Sequence, residues 1–185
     1  IAGIDEAGRG PWAGPVISAA VILNEENIPD GLNDSKKLSK KQRVSLYSAI
    51  YNFHSVGIGI SSIEEIDSMN ILQATFLSMR RAVEDLNPQP ENILVDGILD
   101  PCLDFKTECI VKGDSVSLSI AAASIIAKVT RDNLMIELDS EYPYYCWKKN
   151  KGYGTLEHRK ALEMYGPCEY HRKSFSPINK MLGFS

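Results

Sequence analysis

Ile1-Ala-Gly-Ile-Asp5-Glu6-Ala-Gly8-Arg9-Gly10-Pro11 opens the chain, and the other elements are read outward from it. The apolar run is too short for a helix and begins with a β-branched residue, which predicts a strand over residues 1–5 entering a core. Two adjacent carboxylates, Asp5 and Glu6, stand where that strand ends. Gly8 and Gly10 then free the backbone for a tight turn whose amides can approach a ligand closely. Acid at the end of a buried strand, beside a donor-rich turn, suits a divalent cation held against a phosphate. By default such a pair is solvated. Side chains alternate along a strand, so Asp5 and Glu6 cannot both reach one ion from a regular strand. Either the strand breaks at Glu6, or one residue binds through its main-chain oxygen.

The rest of the chain reads as one α/β domain. A second apolar strand is expected over 16–23, antiparallel to the first around the glycine turn, because tight loops cannot join parallel neighbours. Ser39-Lys-Lys-Gln42 is a capping box that starts a helix reaching about Phe53, with Val44, Leu46, Tyr47, Ile50 and Tyr51 on one side. A third strand follows over 54–61. Ser62-Ile-Glu-Glu65 is a second capping box, opening a short helix to about Asp67, and a longer helix runs over 71–86 until Asn87-Pro-Gln-Pro90 stops it. Short strands are expected at 93–95 and 107–111, with irregular chain over 98–106. Residues 118–138 form a helix whose Ile120-Ala-Ala-Ala-Ser-Ile-Ile-Ala127 segment is apolar on almost every face, hence buried. Residues 142–154 read as an aromatic, basic loop, 155–165 as a final helix, and 166 onward as a tail. Strands that precede and interleave with helices for both faces give a mixed sheet.

Bulk properties narrow the class. The chain is 185 residues long and 44% hydrophobic, enough for one buried core. Net charge is −4, unevenly spread: residues 1–141 carry 12 basic and 21 acidic side chains, residues 142–185 carry 8 and 3. A basic C-terminal face beside an acidic centre follows. The charge divides the chain at 141/142. Cys102, Cys109, Cys146 and Cys168 show no zinc-type spacing and read as reduced thiols of a cytoplasmic protein. No membrane span or signal peptide is visible. The first residue is not Met, so a few leading residues are expected to be missing.

Three apolar runs end in acid: Ile4-Asp5-Glu6, Val95-Asp96-Gly97 and Gly113-Asp114. Strand ends of one sheet converge, so Asp5, Glu6, Asp96 and Asp114 are candidates for one cluster. Four carboxylates together repel unless cations neutralise them. An all-oxygen set without His or Cys favours Mg²⁺ or Mn²⁺ over zinc. That chemistry is two-ion phosphoryl transfer, with ions about 3.5–4 Å apart.

Ile4-Asp-Glu-Ala-Gly-Arg-Gly-Pro11, Asp34-Ser-Lys-Lys-Leu38, Leu94-Val-Asp-Gly97, Lys112-Gly-Asp114, Ala121-Ala-Ala-Ser-Ile-Ile-Ala-Lys-Val-Thr-Arg-Asp132 and Asn150-Lys-Gly-Tyr-Gly-Thr155 together resemble bacterial ribonuclease HII, in order and from end to end. The resemblance implies a ribonuclease H-like fold, a five-stranded mixed sheet flanked by helices with a small C-terminal helical segment. With the division in charge, it implies a catalytic domain over 1–141 and a basic, helical substrate-binding segment over 142–185. It implies an endoribonuclease that cleaves the RNA strand of RNA–DNA hybrids and nicks 5′ of single ribonucleotides embedded in duplex DNA, leaving 3′-hydroxyl and 5′-phosphate ends. Such activity removes misincorporated ribonucleotides and RNA primers. By the same resemblance Asp5, Glu6, Asp96 and Asp114 bind two ions. Gly8, Arg9 and Gly10 contact the ribonucleotide and its junction with DNA, Tyr153 stacks on the following sugar, and Ser35 and Lys36 contact phosphate. A monomer is expected. Trp12 departs from the smaller apolar residue common there. Asp as the fourth acid, and the lack of an extra N-terminal domain, favour HII over the related ribonuclease HIII.

Other charged residues have plain alternatives. Lys37, Lys40, Lys41 and Arg43 read as a solvated helix start; Lys128 and Ser124 as capping or pairing residues, or as contacts to substrate phosphate; Asp132 as a partner for Arg131 or a backbone amide, or as a ligand; and His158 and His171 as surface residues. Lys148, Lys149 and Lys151 are expected to touch the duplex backbone, with affinity that weakens in salt. A hybrid-binding protein with a dead site, or another nuclease on this fold, would share much of the pattern.

Overall fold

The computed structural model describes residues 1–184. Five strands, β1 (Ala2–Ala7), β2 (Val16–Ile22), β3 (Ser55–Ser61), β4 (Asn92–Asp96) and β5 (Lys106–Ile110), form one sheet in the order β3-β2-β1-β4-β5. The turn at Gly8–Gly10 makes β1 and β2 antiparallel, with Asp5 opposite Ala19 and Glu6 opposite Ser18, and β3 continues antiparallel on β2. β4 and β5 join on the other side of β1, both parallel. The sheet is mixed, as expected, and its parallel half sends the C-terminal ends of β1, β4 and β5 to one edge.

Helices cover both faces. α4 (Leu118–Glu141) lies across β1 and β2, where Ala122, Ala123, Ile125 and Ile126 meet Ala19 and Val21. The Ile120–Ala127 segment, apolar on almost every face, has this place because each of its residues is buried. Gly3 permits the contact: a Cβ there would overlap the Ser119 backbone at the start of α4. On the opposite face α3 (Ile71–Glu84) presents Met79, Ala82 and Val83 to Ile4, Ala20, Ile93 and Val95. Both capping boxes form, Ser39 with Gln42 ahead of α1 (Lys40–Phe53) and Ser62 with Glu65 ahead of α2 (Ile63–Met69).

Two expectations need correction. The buried stripe of α1 is narrower than its apolar pattern: Leu46 and Ile50 are buried, but Val44 and Tyr51 are 48% and 53% exposed. Tyr51 instead stacks on Tyr47 at 5.6 Å. The C-terminal region is also more ordered than a loop, a helix and a tail. It contains α5 (Trp147–Asn150), α6 (Leu156–Tyr165) and α7 (Ile178–Met181). Trp147, Tyr145, Leu162 and Ile178 share a core with Met135 and Leu138 of α4 and with Ala13. A bridge from Ala13 to His171 ties the supposed tail to the first turn. The short helices escaped the pattern because four residues cannot display a period.

Candidate active site

Parallel pairing explains why acids far apart in the chain meet. Ile4 lies opposite Val95, so the next residues, Asp5 and Asp96, emerge side by side where both strands end. Asp114 follows β5 on a single 3₁₀ turn, Gly113–Ser115. One carboxylate oxygen from each of Asp5, Asp96 and Asp114 falls within 4.8 Å of the others. Backbone amides fix two of them: Asp5 Oδ1 accepts from Glu6 N–H at 2.7 Å, and Asp96 Oδ1 accepts from Gly113 N–H at 2.6 Å.

Glu6 stands apart from this trio. β1 continues regularly through it, so its side chain leaves the strand on the other face. Its Oε1 lies 3.4 Å from Arg9 Nη1, and its buried Oε2 has no hydrogen-bond partner. The residue nonetheless lines the same cleft as Asp5, and an orphaned buried carboxylate oxygen there is a costly arrangement for the protein alone.

The electrostatics are those of a cation site. Burial, then the charges of Glu6 and Asp96, push the Asp5 carboxyl well above the usual range. Burial also raises Glu6, with Arg9 opposing, and burial with Asp96 and Asp34 raises Asp114. Burial works against the charge on Lys36, yet Asp34, Asp5, Asp114 and Asp96 outweigh it and hold the ammonium charged. Asp34 carried no assignment from the sequence; it is buried and caps the turn by accepting from Lys36 N–H at 2.9 Å. Crowded acids with oxygen-only donors fit Mg²⁺ or Mn²⁺, which take carboxylate and leave room for water and phosphate.

A cleft of about 380 Å³ opens beside the trio, lined by Asp5, Glu6, the 8–10 turn, Ser35, Lys36 and Tyr153. Ser124 and Lys128 of α4 also face it. Ser124 Oγ accepts from Ser35 N–H at 3.1 Å and so sets the basic turn at Ser35–Lys37 on the helix. Lys128 pairs with Asp132 at 2.8 Å, so Asp132 is not the partner of Arg131. Arg43, read as a solvated residue, donates inward to the carbonyls of Ser35 and Leu38 at 2.9 and 2.5 Å. Lys149 is exposed and pairs with Glu157. Tyr153, 45% exposed, overhangs the turn, where a Cβ on Gly10 would lie 3.5 Å from its ring.

A family model described as Ribonuclease HII matches residues 2–178. The chain belongs to the ribonuclease HII family. It is 56% identical over 183 residues to the ribonuclease HII of Wolbachia pipientis wMel, covering 98% of this chain and 92% of that one. The ribonuclease HII of Jannaschia sp. (strain CCS1) is 53% identical with the same coverage. The crystal structure of ribonuclease H2 from Pyrococcus horikoshii OT3 superposes with a TM-score of 0.80 at 29% identity, over 97% of this chain and 95% of that chain. Membership of the ribonuclease HII family makes the protein a ribonuclease H, a nuclease that acts on RNA–DNA hybrids and depends on metal. Among the described residues no helix is long and apolar enough to cross a membrane.

His158 and His171 correct the sequence reading outright: both are fully buried. Cys168 N–H donates to His171 Nδ1 at 3.0 Å, which places the His171 proton on Nε2. That proton faces His158 Nε2 at 3.0 Å, and His158 Nδ1 in turn meets the Tyr153 carbonyl at 2.9 Å. Burial, then the neighbouring ring, pushes His171 down to about 3; burial lowers His158. An unfolded chain would protonate both near pH 6.5. The stability carried by the neutral pair is therefore whole above about 6.5 and is lost as pH falls toward about 3. Two-bond ¹H–¹⁵N spectra at pH 5.5 should show both rings neutral, His171 protonated at Nε2 and His158 at Nδ1. An imidazolium signature at that pH would contradict the buried chain.

Proposed function

We propose that the protein nicks duplex DNA on the 5′ side of a single embedded ribonucleotide, as well as cleaving the RNA strand of hybrids, leaving 3′-hydroxyl and 5′-phosphate ends. The observation that carries this reading is the trio Asp5, Asp96 and Asp114, with oxygens within 4.8 Å, whose Asp5 also lines the cleft walled by the glycine turn. Asp5, Asp96 and Asp114, with Glu6 supplying its unpartnered Oε2 or its main-chain oxygen, would hold two Mg²⁺ or Mn²⁺ ions. When bound, the ions supply Lewis-acid activation of water and stabilisation of the leaving 3′-oxygen.

The chain's own residues do the selecting. Telling RNA from DNA requires sensing the 2′-hydroxyl, and the main chain of Gly8, Arg9 and Gly10 is open enough to approach a sugar. Tyr153 stacks on the sugar that follows. Ser35 and Lys36 hold a phosphate, the lysine kept charged by the acids it faces. The basic 142–185 segment extends the contact along the duplex, next to the catalytic unit over 1–141. On this reading the protein works as a monomer in the cytoplasm, where its substrate lies.

The test is incubation with Mg²⁺ and a duplex holding one ribonucleotide, next to an all-DNA duplex of the same sequence. One nick on the 5′ side of the ribonucleotide, and none in the control, is expected. Equal cutting of both, or binding without a nick, would overturn the proposal.

A further inference from the structure

Arg131 on α4 and Arg172 in the C-terminal segment are 1% and 0% exposed. Buried arginines ordinarily pair with carboxylates, yet neither forms an ion pair among the described residues. Their donors go to backbone carbonyls of the first turn instead. Arg172 Nη2 and Nη1 donate to the Gly8 and Arg9 carbonyls at 2.5 and 2.9 Å, and Nε donates to Gly14 at 2.9 Å. Arg131 Nε and Nη2 donate to Pro15 and Ala13 at 3.0 and 2.9 Å, while Nη1 reaches Lys151, two residues before Tyr153, at 2.8 Å. The guanidinium of Arg131 lies directly under Gly8, where φ is +97° and any Cβ would overlap Nε.

A trans peptide points its carbonyl and its amide in opposite directions. Fixing the Gly8 and Arg9 carbonyls to a guanidinium behind the turn therefore aims the Arg9 and Gly10 amides away from it, toward the cleft. Neither amide has a backbone partner among the described residues. We propose that Arg131 and Arg172 are positioning residues for sugar discrimination. Arg172 orients the peptide planes of the 8–10 turn, and Arg131, packed under Gly8 and bonded to Lys151, locks the turn's spacing to the Tyr153 loop. Arg131 borders the cleft, but it is 1% exposed and its donors are spent on carbonyls. This inference rests on the reading of that turn as the ribonucleotide detector. It also gives the C-terminal segment a part in specificity beyond its charge, because Arg172 belongs to it.

Arg172→Lys and Arg131→Lys keep the charge but replace a planar fork with a point donor that cannot span two carbonyls. Each folded variant should lose about 10²-fold in kcat/KM on the one-ribonucleotide duplex. Any slow cutting of all-DNA duplex should stay as it was, so the discrimination ratio collapses, and the rise in Tm on adding Mn²⁺ should match wild type because the acids are untouched. A folded variant with wild-type discrimination would overturn the proposal. Wild-type protein that fails to discriminate would instead sink the reading of the turn itself. A measurement that needs no variant is amide and guanidinium exchange in the wild type. Both Nε–H signals should be protected in the free protein and unmoved by a one-ribonucleotide duplex in Ca²⁺, while the Arg9 and Gly10 amides shift with that duplex and not with all-DNA. Rapid exchange of either Nε–H, or unmoved turn amides, would count decisively against the positioning role.

Discussion

Asp96→Asn should lower turnover by about 10³-fold or more, since metal stabilisation of transition-state charge is worth several kcal/mol. The folded state should survive it. The asparagine amide keeps the volume of the carboxylate, and its oxygen can still accept from Gly113 N–H, the 2.6 Å bond that holds Asp96 in place. The variant also removes one negative charge from a cluster where burial and mutual repulsion already penalise ionisation of Asp5 and Asp114. Without metal it should therefore melt no lower than wild type, and Mn²⁺ should raise its Tm less. Turnover on a hybrid substrate and the two melting curves decide the matter. Activity within tenfold of wild type would remove Asp96 from the ligand set.

Tyr153→Ala carries the second large effect. Covering a large apolar side chain, here the ring packed on that sugar, is worth about 1.5–3 kcal/mol, or about tenfold to 10²-fold in rate. The loss should fall on the one-ribonucleotide duplex far more than on a continuous hybrid, where cleavage can occur at many sites and no single junction must be found. Fold disturbance should be small. The ring is 45% exposed, and the bond from His158 Nδ1 goes to the Tyr153 carbonyl, which alanine retains. Kinetics on the two substrates side by side test this, and equal losses on both would detach Tyr153 from junction recognition.

Much of the architecture was legible because it depends on local signals. Capping boxes mark the starts of α1 and α2, short continuous apolar runs mark β1 and β2, alternation around Val56, Ile58 and Ile60 marks β3, and acid at the end of each apolar run points to one end of the sheet. Asp5, Asp96 and Asp114 follow from that last pattern alone. Glu6 could not be placed so simply, because its strand stays regular and the residue turns to the other face. The C-terminal region was harder for a different reason. Its order comes from long-range contacts, Trp147 and Ile178 on α4 and His171 on Ala13, which leave no period in the sequence. Arg131, Arg172, His158 and His171 were hidden by a sound rule, that polar side chains stay outside. Here backbone carbonyls and ring nitrogens satisfy them, and a carbonyl has no letter in the sequence.

On the proposed reading, three carboxylates gathered at the end of the parallel strands are tolerable together because they hold divalent cations. Crystals soaked in Mn²⁺ and measured at an energy where manganese scatters anomalously test it most directly. An anomalous peak bound by oxygens of Asp5, Asp96 and Asp114, lost in the Asp96→Asn crystal, is the expected result. Anomalous peaks only elsewhere, or none at the trio when Mn²⁺ supports cleavage in solution, would contradict it.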